Sequence, residues 1–207
     1  MTAEVLPAID PKRDPAFTFS CYIPGRPLSK GSPQPKTRRR GNVSRTIVAD
    51  TPKTLRWMAE IAAYAVQERR RLEARGERSF PYEAPLHLKA LFVYPRPLTG
   101  SLVTGPPVVC SGPNAVGDLD KLVRAVGDAL PPGEIYLEDL RMRVAKAAVI
   151  KDDSKITRIS AQKAFSDEVD GLAPGCYLEL RHAEWDAAER RFHAFVSTYN
   201  RPSRNSV

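Results

Sequence analysis

The feature that most constrains this chain is the segment 117–130, where two aspartates directly precede a helical pattern of apolar residues. The three-to-four spacing of one buried helix face is followed by Leu122, Val126, Ala129 and Leu130. Asp120 stands where a helix N-cap would stand, and Arg124 lies one turn later on the same side. The segment therefore predicts a helix that carries carboxylates at its beginning and packs an apolar face into a core.

Asp118 and Asp120 are candidates for binding a divalent cation. In an extended chain the side chains of residues i and i+2 point to one side, so these two carboxylates can face a common ligand. Hard oxygen donors suit Mg²⁺ or Mn²⁺, which complete their coordination with water and substrate phosphate. Aspartate pairs of this spacing are also common in solvated turns and helix caps, and the pattern alone leaves that alternative open.

Basic charge is concentrated in the N-terminal half of the chain. The net charge is +8; residues 1–100 hold 18 Lys and Arg against 9 Asp and Glu, whereas the remainder holds 14 against 15. A basic surface of this kind attracts polyanions, of which nucleic acid is the commonest. The carboxylates of the second half would repel a polyanion, so basic arms are needed to hold one against them.

The stretch 26–45 holds much of this positive charge and no acidic residue. Its basic residues are Arg26, Lys30, Lys36, Arg38, Arg39, Arg40 and Arg45. Because proline, glycine and serine are frequent between them, we expect a flexible basic loop. Binding of a phosphate backbone is one interpretation of this loop, and a solvated tether is the other.

Cysteine, histidine and hydropathy patterns narrow the class of protein. The three cysteines and three histidines are scattered without the spacing of a zinc site, so reduced and mostly buried thiols are expected. No run of about 18 apolar residues is present, and residues 1–7 lack the basic start and apolar core of a secretory signal. We expect a soluble, intracellular protein without a membrane span.

The order of the predicted elements indicates an α+β fold. Strands are expected at 17–23, 86–94, 156–165 and 176–180, with a weaker one at 102–110. Helices are expected from Thr51 to about Arg75, from Asp120 to Leu130, and over a short piece at 134–148. One compact domain with a small mixed sheet and two main helices would then comprise residues 17–182, between a loose leader (1–16) and a helical tail (183–207).

Four blocks of the chain together resemble the RusA family of Holliday junction resolvases, small dimeric endonucleases frequent in phages and prophages. The first two are Pro-Gly-Arg-Pro-Leu-Ser-Lys-Gly at 24–31 and Asp-Thr-Pro-Lys-Thr at 50–54. The others are 118–122 with 128–130, and 150–156 with Lys163. Their order is that of the family, and they span most of residues 17–182.

The resemblance implies a Mg²⁺-dependent endonuclease that resolves four-way DNA junctions as a homodimer, in the cytoplasm of a bacterium or of a phage-infected host cell. It implies that the metal is held by Asp118, Asp120 and Asp153, with Asp152 beside them. The family's catalytic lysine falls on Arg124, which keeps the charge but is not a proton donor of adjustable pKa. DNA would be bound by the basic residues of 26–45 together with Lys121 and Lys163.

Two departures from the family pattern accompany this resemblance. Lys121 stands where the family usually has asparagine, and the longer spacing before Asp152 makes 131–148 a predicted insertion with its own acidic pair, Glu138 and Asp139. Asp152 and Asp153 are preferred to that pair because the run from them to Lys163 keeps the family's spacing. Two other functions stay open: a non-catalytic nucleic-acid-binding module, and a metal nuclease that acts on other branched DNA.

Overall fold

Eight strands and two helices make up the computed structural model, which describes residues 16–29, 34–40, 43–49, 51–98, 107, 116–169 and 172–183. The strands are β1 (Thr18–Pro24), β2 (Gln34–Arg40), β3 (Val43–Ala49), β4 (Leu86–Tyr94), β5 (Glu134–Leu137), β6 (Met142–Ala145), β7 (Ile156–Phe165) and β8 (Gly175–His182). The helices are α1 (Pro52–Ala74) and α2 (Leu119–Ala129), and short 3-10 turns lie at Asp153–Lys155 and Ser166–Glu168. The predicted α+β class, one domain with a mixed sheet and two main helices, is confirmed.

The core lies between the two helices and one face of a four-stranded sheet. The strand order is β1-β8-β4-β7, in which only the β4–β7 pair is parallel. Alternation along β4 turns Leu88, Ala90 and Phe92 toward the helices, where all three are buried. Each large side chain buried in this way contributes about 1.5–3 kcal/mol of hydrophobic stabilisation. The period-two pattern of the sequence is thus the origin of the sheet's buried face.

Helix α1 begins and ends where its local signals predict. The side chain of Thr51 accepts a hydrogen bond from the backbone N–H of Thr54 at 3.3 Å, and Pro52 fills the first helical position. Gly76 follows the helix with φ of +66°, a conformation that favours glycine. Trp57 and Ile61 are fully buried, so this helix contributes a large part of the apolar core.

The prediction of a flexible loop over 26–45 is wrong for its second half. Strands β2 and β3 pair in antiparallel register, with Gln34 opposite Ala49, as a separate two-stranded sheet. Three β-branched residues, Thr46, Ile47 and Val48, favour an extended chain, and Gly-Asn between the two strands is a dipeptide typical of tight hairpin turns. The basic stretch therefore carries five of its seven cations on a hairpin, while Lys30 lies outside the described residues.

The prediction of a short helix over 134–148 is also wrong. Strands β5 and β6 form an antiparallel hairpin in which Ile135 pairs with Val144. Ile135 and Leu137 are buried while their neighbours are exposed, which is the period of a strand. The turn places Arg141 at φ of +48°. The predicted insertion is therefore a β-hairpin that packs two apolar side chains onto the domain.

Some predictions concern residues outside the described part of the chain. The predicted strand at 102–110, the leader up to residue 15 and the helical tail from 184 lie outside the described residues, apart from Pro107. Within the described part of the chain, no helix combines the length and the apolar composition that a membrane span requires.

Candidate active site

Helix α2 positions the first two aspartates differently from the sequence prediction. Asp118, not Asp120, is the N-cap, and its backbone carbonyl accepts a hydrogen bond from the N–H of Leu122 at 3.0 Å. Asp120 therefore lies inside the first helical turn, and the extended chain that was expected to aim both carboxylates at one ligand does not exist. The predicted N-cap at Asp120 is wrong by two residues, because aspartate is equally suited to either position.

The carboxylate of Asp118 is held by lysines. The ammonium of Lys121 lies 2.7 Å from it, three residues along the helix. That hydrogen bond is the main reason why the pKa of Asp118 lies below its ordinary value, and the charge of Lys163 lowers it further. Lys121 and Lys163, both predicted as DNA contacts, thus lie within electrostatic reach of Asp118. They keep it ionised.

Lys163 also binds the backbone just before Asp118. Its ammonium, at the end of a part-buried side chain, donates to the carbonyl of Gly117 at 3.2 Å. Lys163 pairs with Phe92 across the parallel β4–β7 ladder, so its stem lies on the face of the sheet that the helices cover. The sheet therefore contacts the start of α2 through the ammonium of a half-buried lysine.

Parts of all four sequence blocks meet around Gly117, which precedes Asp118 and binds Lys163 through its carbonyl. A Cβ atom added to Gly117 would lie 2.5 Å from the Cβ of Ser29, so only glycine fits against this serine. The carbonyl of Ser29 accepts a hydrogen bond from the hydroxyl of Thr54 at 3.3 Å, and that hydroxyl lies 2.9 Å from the hydroxyl of Thr51. The first block, the start of α1 and the acidic segment are consequently packed into one cluster.

Asp120 and Asp153 line a common cavity of about 250 Å³. Arg124 and Asp128 belong to the same lining, and its apolar part consists of Leu88, Val123, Gly127, Ile156 and Ile159. The guanidinium of Arg124 lies 3.7 Å from the carboxylate of Asp120, one helical turn away. The structure thus brings together three of the predicted catalytic residues, whereas Asp118 lies outside the lining. Asp128 was not predicted as a site residue, although it belongs to a sequence block that marks the helix.

The neighbouring aspartates Asp152 and Asp153 differ in their surroundings. Asp152 is the N-cap of the 3-10 turn that follows it, and accepts hydrogen bonds from the hydroxyl of Ser154 and from its N–H, the latter at 3.0 Å. The hydroxyl bond is the main cause that lowers the pKa of Asp152. Asp153 is exposed and lines the cavity. Of the pair, Asp153 has its carboxylate where a ligand can reach it.

The donor set fits a magnesium ion that retains much of its water. Among the described residues, no three Asp, Glu, His or Cys side chains lie close enough together to coordinate one ion. Mg²⁺ commonly uses only one or two carboxylates and fills its shell with water and substrate phosphate. Asp120 and Asp153 are two such carboxylates in one cavity. Asp118 would join them only by releasing Lys121.

A larger cavity, of about 710 Å³, lies against the other face of the sheet. Its one carboxylate is that of Glu179, which lies 2.7 Å from the guanidinium of Arg181 and 3.5 Å from the ammonium of Lys89. The remaining lining is a shallow surface of serine, glutamine, tyrosine and aliphatic groups. Among the described residues its lining holds no second acidic side chain, so this cavity is a weaker candidate for metal chemistry than the smaller one.

The predicted DNA contacts fall into three groups. Lys36, Arg38, Arg39, Arg40 and Arg45 lie on strands β2 and β3. Arg26, Lys121 and Lys163 have partners within the protein, the guanidinium of Arg26 lying 5.9 Å from the ring centre of Tyr94. Lys30 is outside the described residues. The hairpin is therefore the part of the predicted interface with the highest density of cations.

Comparison with models of known protein families finds no match to this chain, and neither does comparison with curated proteins. Similarity to the RusA family therefore rests on the four sequence blocks.

Proposed function

We propose that the protein is a Mg²⁺-dependent endonuclease that cuts branched DNA, with the four-way junction as its substrate. The proposal depends chiefly on the cavity in which Asp120, Asp153 and Arg124 meet. Phosphodiester hydrolysis needs an activated water and neutralisation of the charge that gathers on oxygen in the transition state. Two carboxylates and a fixed cation in one cavity are suited to this chemistry. The resemblance of four blocks to junction resolvases supports the choice of substrate.

The residues of the cavity have separate roles. Asp120 and Asp153 would hold the metal, which when bound supplies charge neutralisation and lowers the pKa of water. Mn²⁺ would serve in the same place, because it prefers the same oxygen donors. Arg124 would bind the scissile phosphate or the leaving oxygen as a permanent cation. Val123 and Ile156 line the cavity with apolar surface beside these charged groups, which themselves remain exposed to solvent.

Affinity for DNA would come from the basic β2–β3 hairpin, and paired cutting would come from two-fold symmetry. The cations of β2 and β3 attract a phosphate backbone irrespective of its sequence. Resolution of a junction requires cuts in two opposing strands, and a two-fold homodimer presents two identical sites in the matching symmetry. Such a substrate occurs in the cytoplasm of a bacterium or of an infected host cell, where we expect the protein to act.

Cleavage of a synthetic four-way junction tests the proposal. With Mg²⁺ we expect paired nicks in opposing strands, and little cutting of a linear duplex of the same sequence. Equal cutting of both substrates would indicate a nuclease without junction specificity. Tight, structure-selective binding without any metal-dependent cutting would favour the other candidate, a non-catalytic binding module, to which the ion pair between Lys121 and Asp118 lends some support.

Replacing Arg38, Arg39 and Arg40 together with glutamine should weaken DNA binding and flatten its salt dependence. Each lost phosphate contact reduces the slope of log K against log salt by about 0.9 on duplex DNA. The matched control replaces Arg70, Arg71 and Arg75 near the end of α1, where Arg71 pairs with Glu68 and Arg75 with Glu77. Titrations at several salt concentrations would measure the slope for each variant. If the slope of the Arg38, Arg39 and Arg40 variant equals that of the control, β2 and β3 do not bind phosphates and the tether interpretation holds.

Arg124 should tolerate replacement by lysine but not by alanine. Both cations stabilise charge on oxygen during cleavage of the P–O bond, and lysine can in addition donate a proton. We expect Arg124→Ala to slow cleavage about tenfold, less than the loss of a buried oxyanion donor, because this side chain is 58% exposed and solvent screens its charge. Single-turnover cleavage of a pre-bound junction at saturating Mg²⁺ measures this step. A wild-type rate for Arg124→Ala would make Arg124 an ordinary surface charge.

A further inference from the structure

The β5–β6 hairpin exposes three large apolar side chains within seven residues. The exposed fractions are 50% for Tyr136, 55% for Leu140 and 47% for Met142. Met142 pairs with Leu137 and Tyr136 with Arg143, so Tyr136 lies on the opposite face of the strands from Met142, while Leu140 and Met142 are two residues apart at the turn. Apolar side chains exposed singly are ordinary on protein surfaces, whereas neighbouring ones mark a candidate interaction site. The hairpin also falls within the segment 131–148 that the sequence predicts to be an insertion.

The hairpin is held at its base and at its tip. Backbone hydrogen bonds of 2.9–3.0 Å join the base to the end of α2, from Ala147 to Ala129 and from Val149 to Leu130. Arg56 of α1 forms an ion pair with Asp139 in the turn. With Ile135 and Leu137 buried beneath it, the hairpin presents its exposed side chains on a fixed support.

Helix α1 shows where the tip lies in the domain. The base is attached to α1 by Arg69, whose guanidinium donates to the carbonyl of Ala147 at 3.0 Å, whereas the tip is attached at Arg56. Arg69 follows Arg56 by thirteen positions in the helix, which is about 20 Å along the axis. The hairpin therefore runs back along α1 and ends near its N-terminus. There Thr54 binds the carbonyl of Ser29 and β3 leads into the helix.

The tip offers apolar surface rather than charge. Glu134 lies 2.8 Å from Arg143, and Asp139 pairs with Arg56. The other two charged residues of the turn, Glu138 and Arg141, have opposite signs. An element with balanced charge is poorly suited to phosphates but can accept bases, because every base presents an apolar face.

We propose that the hairpin tip, Leu140 to Met142, contacts bases exposed at the branch point of a DNA junction. Apolar side chains that enter between base steps separate them and stabilise a bent or open geometry. Strand β3 ends three residues before α1 begins, so DNA held at the base of the β2–β3 hairpin would pass the end of α1 at which the tip lies. Tyr136 would offer a stacking surface on the opposite face of the strands. The inference rests on the proposed function, since it assumes that branched DNA is the ligand.

Fluorescence of 2-aminopurine placed at the branch point of a four-way junction tests the proposal. Wild-type protein, bound without divalent metal so that no strand is cut, should raise the fluorescence by unstacking the base. Leu140→Ala combined with Met142→Ala should remove this rise and weaken junction binding about tenfold, since burial of apolar side chains of this size is worth roughly that factor or more. Affinity for linear duplex and the salt slope should not change, because no charge is altered.

Leu98→Ala is the matched control, because Leu98 is 95% exposed and belongs to the chain beyond β4, not to the hairpin. Since all three leucine and methionine side chains are exposed, thermal unfolding of both variants should match wild type. Wild-type fluorescence and affinity in the hairpin variant would overturn this inference while leaving junction cleavage, measured separately, as the test of the proposed function. A hairpin variant that changes the mass of the DNA-free protein in solution would assign the tip to a subunit contact and overturn it as well. Failure of wild-type protein to bind any branched DNA would overturn both proposals.

Discussion

The Asp120→Asn protein should bind a four-way junction at least as tightly as wild type and cut it about a hundredfold more slowly or worse. Asp120 is one of only two carboxylates among the predicted ligands that share the cavity, and asparagine keeps its shape while removing the charge. A bound metal supplies several kcal/mol of charge stabilisation in the transition state, and each 1.36 kcal/mol is about tenfold in rate. Binding should persist or tighten, since one repulsive charge beside the phosphates is gone. Single-turnover cleavage and a separate titration measure the two effects.

Variants of the other acidic residues make this test specific. Asp153→Asn should match Asp120→Asn, because both residues line the cavity. Asp152→Asn should reduce the cleavage rate less, since the carboxylate of Asp152 already accepts a hydrogen bond from the N–H of Ser154. Glu138→Gln, in the second acidic pair, is the matched control and should cut normally. If Asp120→Asn retains full activity, Asp120 has no place in the site and the proposed chemistry loses one of its two ligands.

The framework of the domain could be predicted because local signals decide it. Thr51 and Pro52 define the start of α1 and Gly76 its end, each through the conformational preference of one residue. Alternation along Leu86–Tyr94 gives a strand with a buried face in almost any surroundings. Where the residues of a segment alone determine its conformation, the predicted and observed bounds agree within a few residues.

The insertion could not be predicted correctly because its pattern fits two periods. Leu137, Leu140 and Val144 follow helical spacing, while Ile135, Leu137 and Val144 suit two paired strands. The structure buries Ile135 and exposes Leu140, because α1 offers an apolar surface to one face of a flat hairpin. Such a choice depends on a distant partner. The pairing of β2 with β3 has a different cause, because its local signals, the β-branched residues at 46–48 and the Gly-Asn dipeptide, stand in a stretch dominated by basic residues.

The candidate site shows the same division between residue type and arrangement. Carboxylates and a cation of suitable chemistry could be named from the sequence, including Asp120, Arg124 and Asp153. Which of them share a cavity depends on how the turn at Asp153–Lys155 meets α2, and no local pattern contains that information. Lys121 could likewise be identified as an unusual neighbour, but its ion pair with Asp118 follows only from the helix beginning at Leu119.

The contact between Ser29 and Gly117 is an arrangement of this kind, and it makes Gly117→Ala a damaging substitution. The new methyl group would lie 2.5 Å from the Cβ of Ser29 and 2.7 Å from its hydroxyl, far inside van der Waals contact. Relieving the overlap requires a shift of backbone, because Lys163 holds the carbonyl of Gly117 and Thr54 holds that of Ser29. Overpacking of this kind costs about 1–3 kcal/mol of folding free energy. A displacement of about 1 Å at the start of α2 would slow cleavage about a hundredfold.

Rescue by a second substitution distinguishes this local clash from a general loss of stability. Ser29→Gly removes both overlapping atoms and leaves the Ser29 Cα at 3.3 Å from the added methyl, which a movement of a few tenths of an ångström accommodates. The double variant should therefore recover most of the stability in urea unfolding and most of the single-turnover cleavage rate lost by Gly117→Ala. Gly127→Ala provides the control for stability, since its methyl would meet only the Cδ1 of Ile156 at 3.8 Å and should stabilise α2 by about 0.5–1 kcal/mol. If Gly117→Ala alone folds and cuts like wild type, or if Ser29→Gly fails to restore either quantity, the cluster at Gly117 does not position the acidic end of α2.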